Sequence, residues 1–92
     1  MNQFKVSATF YIPGRKHFVI AGKIIEGKVE RGMHVIIPSD QDSERELKIA
    51  GVEMISKVDH SLDLGLCIRY KNNNELKEFQ SLEIVGKLLE IC

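Results

Sequence analysis

The sequence predicts an all-β domain: a small, closed, antiparallel barrel of about six strands. Short apolar runs with alternating polarity recur along the chain, separated by turn-forming clusters at intervals of roughly ten residues. No segment sustains a 3.6-residue apolar period beyond two helical turns. Glycines fall between the runs and also inside them, as the corners of a small barrel require.

The first strand is the run from Phe4 to Ile12, with Phe4, Val6, Ala8, Phe10 and Ile12 on one face and Lys5, Ser7, Thr9 and Tyr11 on the other. Pro13-Gly14-Arg15-Lys16 follows as a turn. The second strand, from His17 to Ile25, is interrupted by Gly22, and a glycine inside a strand marks a bulge or a sharp bend. Gly27 and Gly32 form tight turns, where a positive φ costs glycine little. The third strand, from Met33 to Pro38, points Met33, Val35 and Ile37 the same way. The polar run 39–44 reads as a loop. A long strand from Arg45 to Ile55, broken at Gly51, precedes a connector, 56–63, that holds few apolar residues. The strand from Leu64 to Lys71 sets Leu64, Leu66, Ile68 and Tyr70 against Cys67 and Arg69 on its other side. Residues 72–79 read as a turn with one helical turn, and Lys87 to Ile91 is the last strand. The core candidates are Phe4, Val6, Phe10, Ile12, Val35, Ile49, Leu66, Ile68 and Leu89.

Residues 1–92 form one domain, with no linker, low-complexity tract or extended repeat. A chain of this length buries roughly 60–65% of its unfolded surface. The composition, 43% hydrophobic and 28% charged, suits a globular fold and excludes a disordered one. No apolar run approaches the ~18 residues of a membrane span. The N-terminal residues alternate from the start, without a basic-then-apolar leader, so a cytoplasmic location is expected. In that compartment Cys67 and Cys92 are expected as free thiols.

The formal net charge is zero, but it is unevenly spread. Residues 1–37 carry six bases and two acids, a balance of +4, and residues 38–92 carry seven bases and eleven acids, a balance of −4. That asymmetry allows a basic face on a neutral protein. A neutral chain is not a strong nucleic-acid binder by charge alone.

No enzyme motif is present: there is no phosphate-binding P-loop, dinucleotide fingerprint, zinc-protease helix, nucleophile elbow or Cys-x-x-Cys. His17, His34 and His60 stand apart, at spacings that suit no metal site. Cys67 with His60 as its base would be a nucleophile, but a small residue packed within a strand is the ordinary role of such a cysteine. No enzymatic activity, cofactor or metal is expected. The basic turn Gly14-Arg15-Lys16-His17 lies between Tyr11 and Phe18, a combination that can meet phosphate and stack on a base. The same residues also suit a solvated hairpin tip.

The stretch FYIPGRKHFVIAGKIIEGKVERGMHV resembles the second, β-barrel domain of translational GTPases of the elongation factor Tu type. The matching elements are Ile12-Pro13-Gly14-Arg15, the apolar strand Phe18 to Ile24, Gly27-Lys28-Val29 and Gly32-Met33-His34-Val35. IAGVEMISKVD (49–59), LGLCIRY (64–70) and GKLLEI (86–91) resemble later strands of that domain, in order. The hairpin tip GRKHF is one residue longer than the family's, and Ala21 replaces a hydroxyl-bearing residue. The family's GTPase motifs are missing, so no GTP binding is expected of this chain alone.

The resemblance implies a non-catalytic binding module that contacts RNA, either transfer RNA or ribosomal RNA, or a translation-related protein. In that family the barrel receives the 3′ adenosine of aminoacylated transfer RNA. Carried over by position, the pocket involves Ile12, Val19, Glu53 and Cys67. Ile12 and Val19 would offer an apolar patch, and Glu53 would accept hydrogen bonds from base or ribose. Arg15, Lys16 and Lys23 would meet phosphates. The alternative is a protein-interaction module that kept the barrel and lost RNA binding.

Overall fold

The computed structural model describes residues 2–38, 45–56 and 62–92. In chain order these form β1 (Asn2–Ile12), β2 (His17–Glu26), β3 (His34–Ile37), β4 (Arg45–Lys48), β5 (Gly51–Ser56), β6 (Leu62–Arg69), helix α1 (Asn73–Gln80) and β7 (Leu88–Ile91). All seven strands lie in one antiparallel sheet, ordered β4-β3-β7-β1-β2-β6-β5. The loop expected at 39–44 and most of the connector expected at 56–63, including His60, lie outside the described residues.

The expected all-β class holds, but the sheet is not closed into a barrel. Its edges, β4 and β5, do not pair with each other. Both belong to the long strand expected from Arg45 to Ile55, which breaks at Ile49 and Ala50. Antiparallel partners need a chain reversal between them, and this short link makes a corner instead. Ile49 exchanges hydrogen bonds with the β3 side: its amide donates to the Met33 carbonyl (2.8 Å) and its carbonyl accepts from Gly32 N–H (2.9 Å). Ala50 N–H donates to the Cys67 carbonyl on β6 (2.8 Å). The segment thus leaves one edge of the sheet and joins the other, and the split accounts for seven strands where six were expected.

The concave side of the sheet carries the core. Phe4, Val6, Val35, Ile49, Leu66, Ile68 and Leu89 are buried as expected, together with Phe18, Ile20 and Ile37. Helix α1 closes over this side. It runs two turns rather than the expected one, because Asn72 caps it: the Asn72 side chain accepts from Glu75 N–H (2.9 Å), and the Glu75 carboxylate accepts from Lys71 N–H (3.1 Å). Leu76 and Phe79, three residues apart on one helix face, enter the core, and the Phe79 ring packs 5.6 Å from that of Phe18.

Phe10 and Ile12 are not core residues, contrary to the alternation of β1. Phe10 is 40% exposed and Ile12 is half-buried. The cause is a bulge. Val6 lies opposite Gly22, but Ala8 lies opposite Ala21, so Ser7 is an extra residue on β1. One extra residue reverses the facing of everything beyond it. Phe4 and Val6 point into the core, whereas Ala8, Phe10 and Ile12 share the outer face with Ala21, Val19 and His17. The Ser7 hydroxyl donates to the Asp63 carboxylate at 2.7 Å, which fixes the bulge against β6.

Gly22 makes the bulge possible. A Cβ there would overlap the Lys5 carbonyl and press on the Phe4 ring at 2.9 Å. Gly27 and Gly32 adopt φ of +77° and +94°, as expected for their turns.

Gly22→Ala should destabilise the fold by about 1–3 kcal/mol, which lowers the melting temperature by roughly 5–20 °C for a domain of this size. Gly14→Ala, where the added carbon meets nothing within 4 Å, should stay within about 0.5 kcal/mol. Thermal melts followed by circular dichroism compare the two. The reversal of β1 predicts a second contrast, read by urea denaturation. Phe18→Ala should cost about 3–5 kcal/mol, and Phe10→Ala no more than about 1 kcal/mol.

Candidate nucleic-acid interface

The bulge and the register bring most of the expected site residues to one end of the outer face. Val19 on β2 lies opposite both Phe10 on β1 and Cys67 on β6. Cys67 in turn lies opposite Gly51 on β5, and Glu53 lies opposite Gly65 on β6. Ile12 ends β1 on the same face, opposite His17. Gly65 leaves a slot above β6, and a Cβ there would run into both the Ile55 and the Val19 side chains. Val19 and Ile55 therefore meet over β6 and form a small apolar layer outside the main core.

An ion pair crosses this layer. Arg15, in the β1–β2 turn, extends its guanidinium past β2 and β6 and donates to the Glu53 carboxylate at 2.7 Å. Both side chains are about half exposed. The turn that presents Arg15 is built by local bonds: Arg15 N–H donates to the Ile12 carbonyl (3.2 Å), and the Lys16 carbonyl accepts from Tyr70 N–H (3.0 Å). Lys16 holds a left-handed backbone, φ 54°, and its side chain is exposed.

The geometry differs from the expected pocket in three respects. Val19 and Cys67 are 2% and 1% exposed, so they floor the site rather than open it to solvent. Glu53 and Arg15, expected to face a nucleoside and a phosphate, hold each other. Lys23 stands apart: it lies opposite Lys5, four residues along β2 from Val19, or ~13 Å at the usual strand rise. Phe10 is an addition. Simple alternation assigns it to the core, and the signal that could have found it is Gly22, since a glycine within one strand marks a bulge in its neighbour.

Burial pushes the Cys67 thiol above its ordinary range; the Glu53 carboxylate pushes it the same way, and the Arg15 guanidinium opposes them. A buried thiol held in its protonated form is a poor nucleophile. Among the described residues no three His, Cys, Asp or Glu side chains gather as metal ligands. No helix of the described residues is long and apolar enough to cross a membrane. Comparison with known protein families, with curated proteins and with solved structures finds no match for this chain.

The two cysteines should react differently, since Cys67 is buried and Cys92 exposed. A disulfide reagent at pH 8 should titrate one thiol per native chain, and the second only after denaturation. Because the folded state holds the Cys67 proton more tightly, the stability this group contributes is complete below the ordinary thiol pKa of about 8.5. It is lost as pH rises through the folded-state value. Denaturant midpoints of the parent and of Cys67→Ala should therefore converge as pH is raised above that range.

Proposed function

We propose that this chain is a non-catalytic module that binds RNA through the outer face, in the manner its resemblance to the second domain of elongation factor Tu implies. The observation that carries the reading is the Arg15–Glu53 ion pair, lying across an apolar floor made by Val19, Ile55 and Cys67. A half-exposed pair of this kind is worth only ~0–1 kcal/mol, so a ligand that satisfies both partners separates it at little cost. A phosphate takes the Arg15 guanidinium, which suits bidentate contact with phosphate oxygens. A ribose hydroxyl or an exocyclic amine donates to Glu53. Phe10 and Ile12, exposed or half-exposed at the same end, offer a surface on which a base can rest. Lys16 adds charge at the rim of the turn.

One observation favours the second reading, a protein-interaction module. The ion pair leaves this end of the face without net charge at Arg15 and Glu53, while Phe10, 40% exposed, provides an apolar contact.

Fluorescence anisotropy with a short CCA-ended RNA and a scrambled control separates the two. Arg15→Ala and Lys16→Ala should each weaken binding to both RNAs and reduce the salt slope by about one. Glu53→Ala should keep the slope and remove the preference for the terminal adenosine. It also frees Arg15, so its affinity for the scrambled RNA should hold or rise. Weak, equal binding of both RNAs, unchanged in all three variants, would reject RNA recognition at this face and leave the protein-interaction reading.

A further inference from the structure

A second feature lies at the end of the sheet, beyond the outer-face cluster. A groove of about 740 Å³ opens between β4, the residues preceding β3, the end of β6 and helix α1. Its size falls in the range of small-molecule sites. Its walls carry Arg31, Lys48 and Arg69, and none of the three is in an ion pair with a described residue. The acidic side chains in the wall are Glu46 and Glu75, and Glu75 is already engaged in the helix cap through Lys71 N–H. Arg45, also in the wall, is committed to Glu78 (3.2 Å) and to the Phe79 ring, 5.0 Å away. With the Arg45–Glu78 pair set aside, three cations face two carboxylates, which leaves the groove at +1 on a chain of zero net charge.

His17 gives a second, independent indication. The residue lines the groove, and its Nδ1 is buried without a hydrogen-bond partner among the described residues. A buried polar atom without a partner costs free energy that a ligand can return. An imidazole beside three cations that have no ion pair with a described residue suits an anion with several acceptor oxygens. Lys48 offers a compact charge, and Arg31 and Arg69 offer planar forks.

We propose that this groove is a binding site for a small phosphorylated ligand bearing two or more phosphate charges, held by Arg31, Lys48 and Arg69 with His17 donating from its ring. The outer-face ion pair is not part of this site: Arg15 and Glu53 do not line it, although His17, opposite Ile12, borders both. It therefore stands or falls independently of the RNA reading.

The test is a titration of the full chain with inorganic pyrophosphate, followed by amide and imidazole NMR shifts, with citrate at matched ionic strength as a control anion. Pyrophosphate should saturate at millimolar concentration or below. The largest shifts should fall on the amides of Arg31, Gly32, Lys48 and Arg69 and on the His17 ring. Lys48→Gln and Arg69→Gln, conservative changes at exposed positions, should each weaken binding about tenfold. Lys87→Ala, at an exposed lysine outside both sites, should leave the titration unchanged. Titrating adenosine monophosphate and adenosine diphosphate alongside distinguishes a nucleotide from a bare phosphate: tighter binding of the diphosphate than of pyrophosphate assigns the ligand to the nucleotides. Shifts scattered over the surface, equal shifts with citrate, or affinity retained in both glutamine variants would overturn the site.

Discussion

The close approach of Gly22 to the backbone of β1 is the contact on which the rest of the molecule depends. With no side chain at Gly22, the Lys5 carbonyl lies where a Cβ would otherwise sit, and the Phe4 ring fills the adjoining space. That proximity lets β1 take up one extra residue, Ser7, without losing its pairing to β2. The extra residue then divides β1 into two parts with opposite duties. The part before it supplies Phe4 and Val6 to the main core. The part after it supplies Ala8, Phe10 and Ile12 to the outer face. A regular β1 would bury Phe10 and leave Val19 and Cys67 with less cover. A single backbone contact thus sets how apolar surface is shared between the two sides of the sheet.

The two candidate sites differ in how they use charge. On the outer face an acid and a base from distant parts of the chain neutralise each other over apolar residues. At the end groove, four cations from three segments share the wall with two carboxylates. The β1–β2 hairpin contributes to both, since Arg15 at its tip pairs with Glu53 and His17 at its base lines the groove. The basic turn read from the sequence is therefore not one patch. Arg15 is held by Glu53, and His17 lines the groove. The positive balance of residues 1–37 is likewise divided between these surfaces and the exposed lysines of β1 and β2.

Much of the fold was legible because its signals are local. Alternation located the strands, Gly27 and Gly32 marked turns with positive φ, and seven of nine core candidates are buried. The two exceptions, Phe10 and Ile12, lie beyond the bulge. A period of two continues through a bulge in sequence but not in space, so alternation alone misassigns them. The open sheet was missed for a related reason. Strand-like composition runs unbroken from Arg45 to Ile55, and only the hydrogen bonds of Ile49 and Ala50 show that the segment changes partners midway. In the site, grouping Ile12, Val19, Glu53 and Cys67 rested on a family resemblance, and the register does bring those four to one face. The pairing of Arg15 with Glu53 was not legible, because it joins residues 38 positions apart through a turn whose direction the sequence does not specify. The groove was invisible for the same reason: its cations come from segments that share no local pattern.

The centre of the sheet is made by strands from opposite ends of the chain. β1 pairs with β7 from Asn2 through Lys5, and β7 alone connects β1 to the β3–β4 pair. The entropy of closing so long a loop rises only slowly with its length, so the arrangement costs little at equilibrium. Its consequence is kinetic. Hairpins such as β1–β2 can form early, but β3 gains its strand pairing to the β1 side only when β7 arrives, and folds dominated by distant pairings assemble slowly. During synthesis β1 therefore holds an unpaired edge, with Lys5 on it, until residues 88–91 have been made. The charge of Lys5 helps to keep that waiting edge from joining another chain.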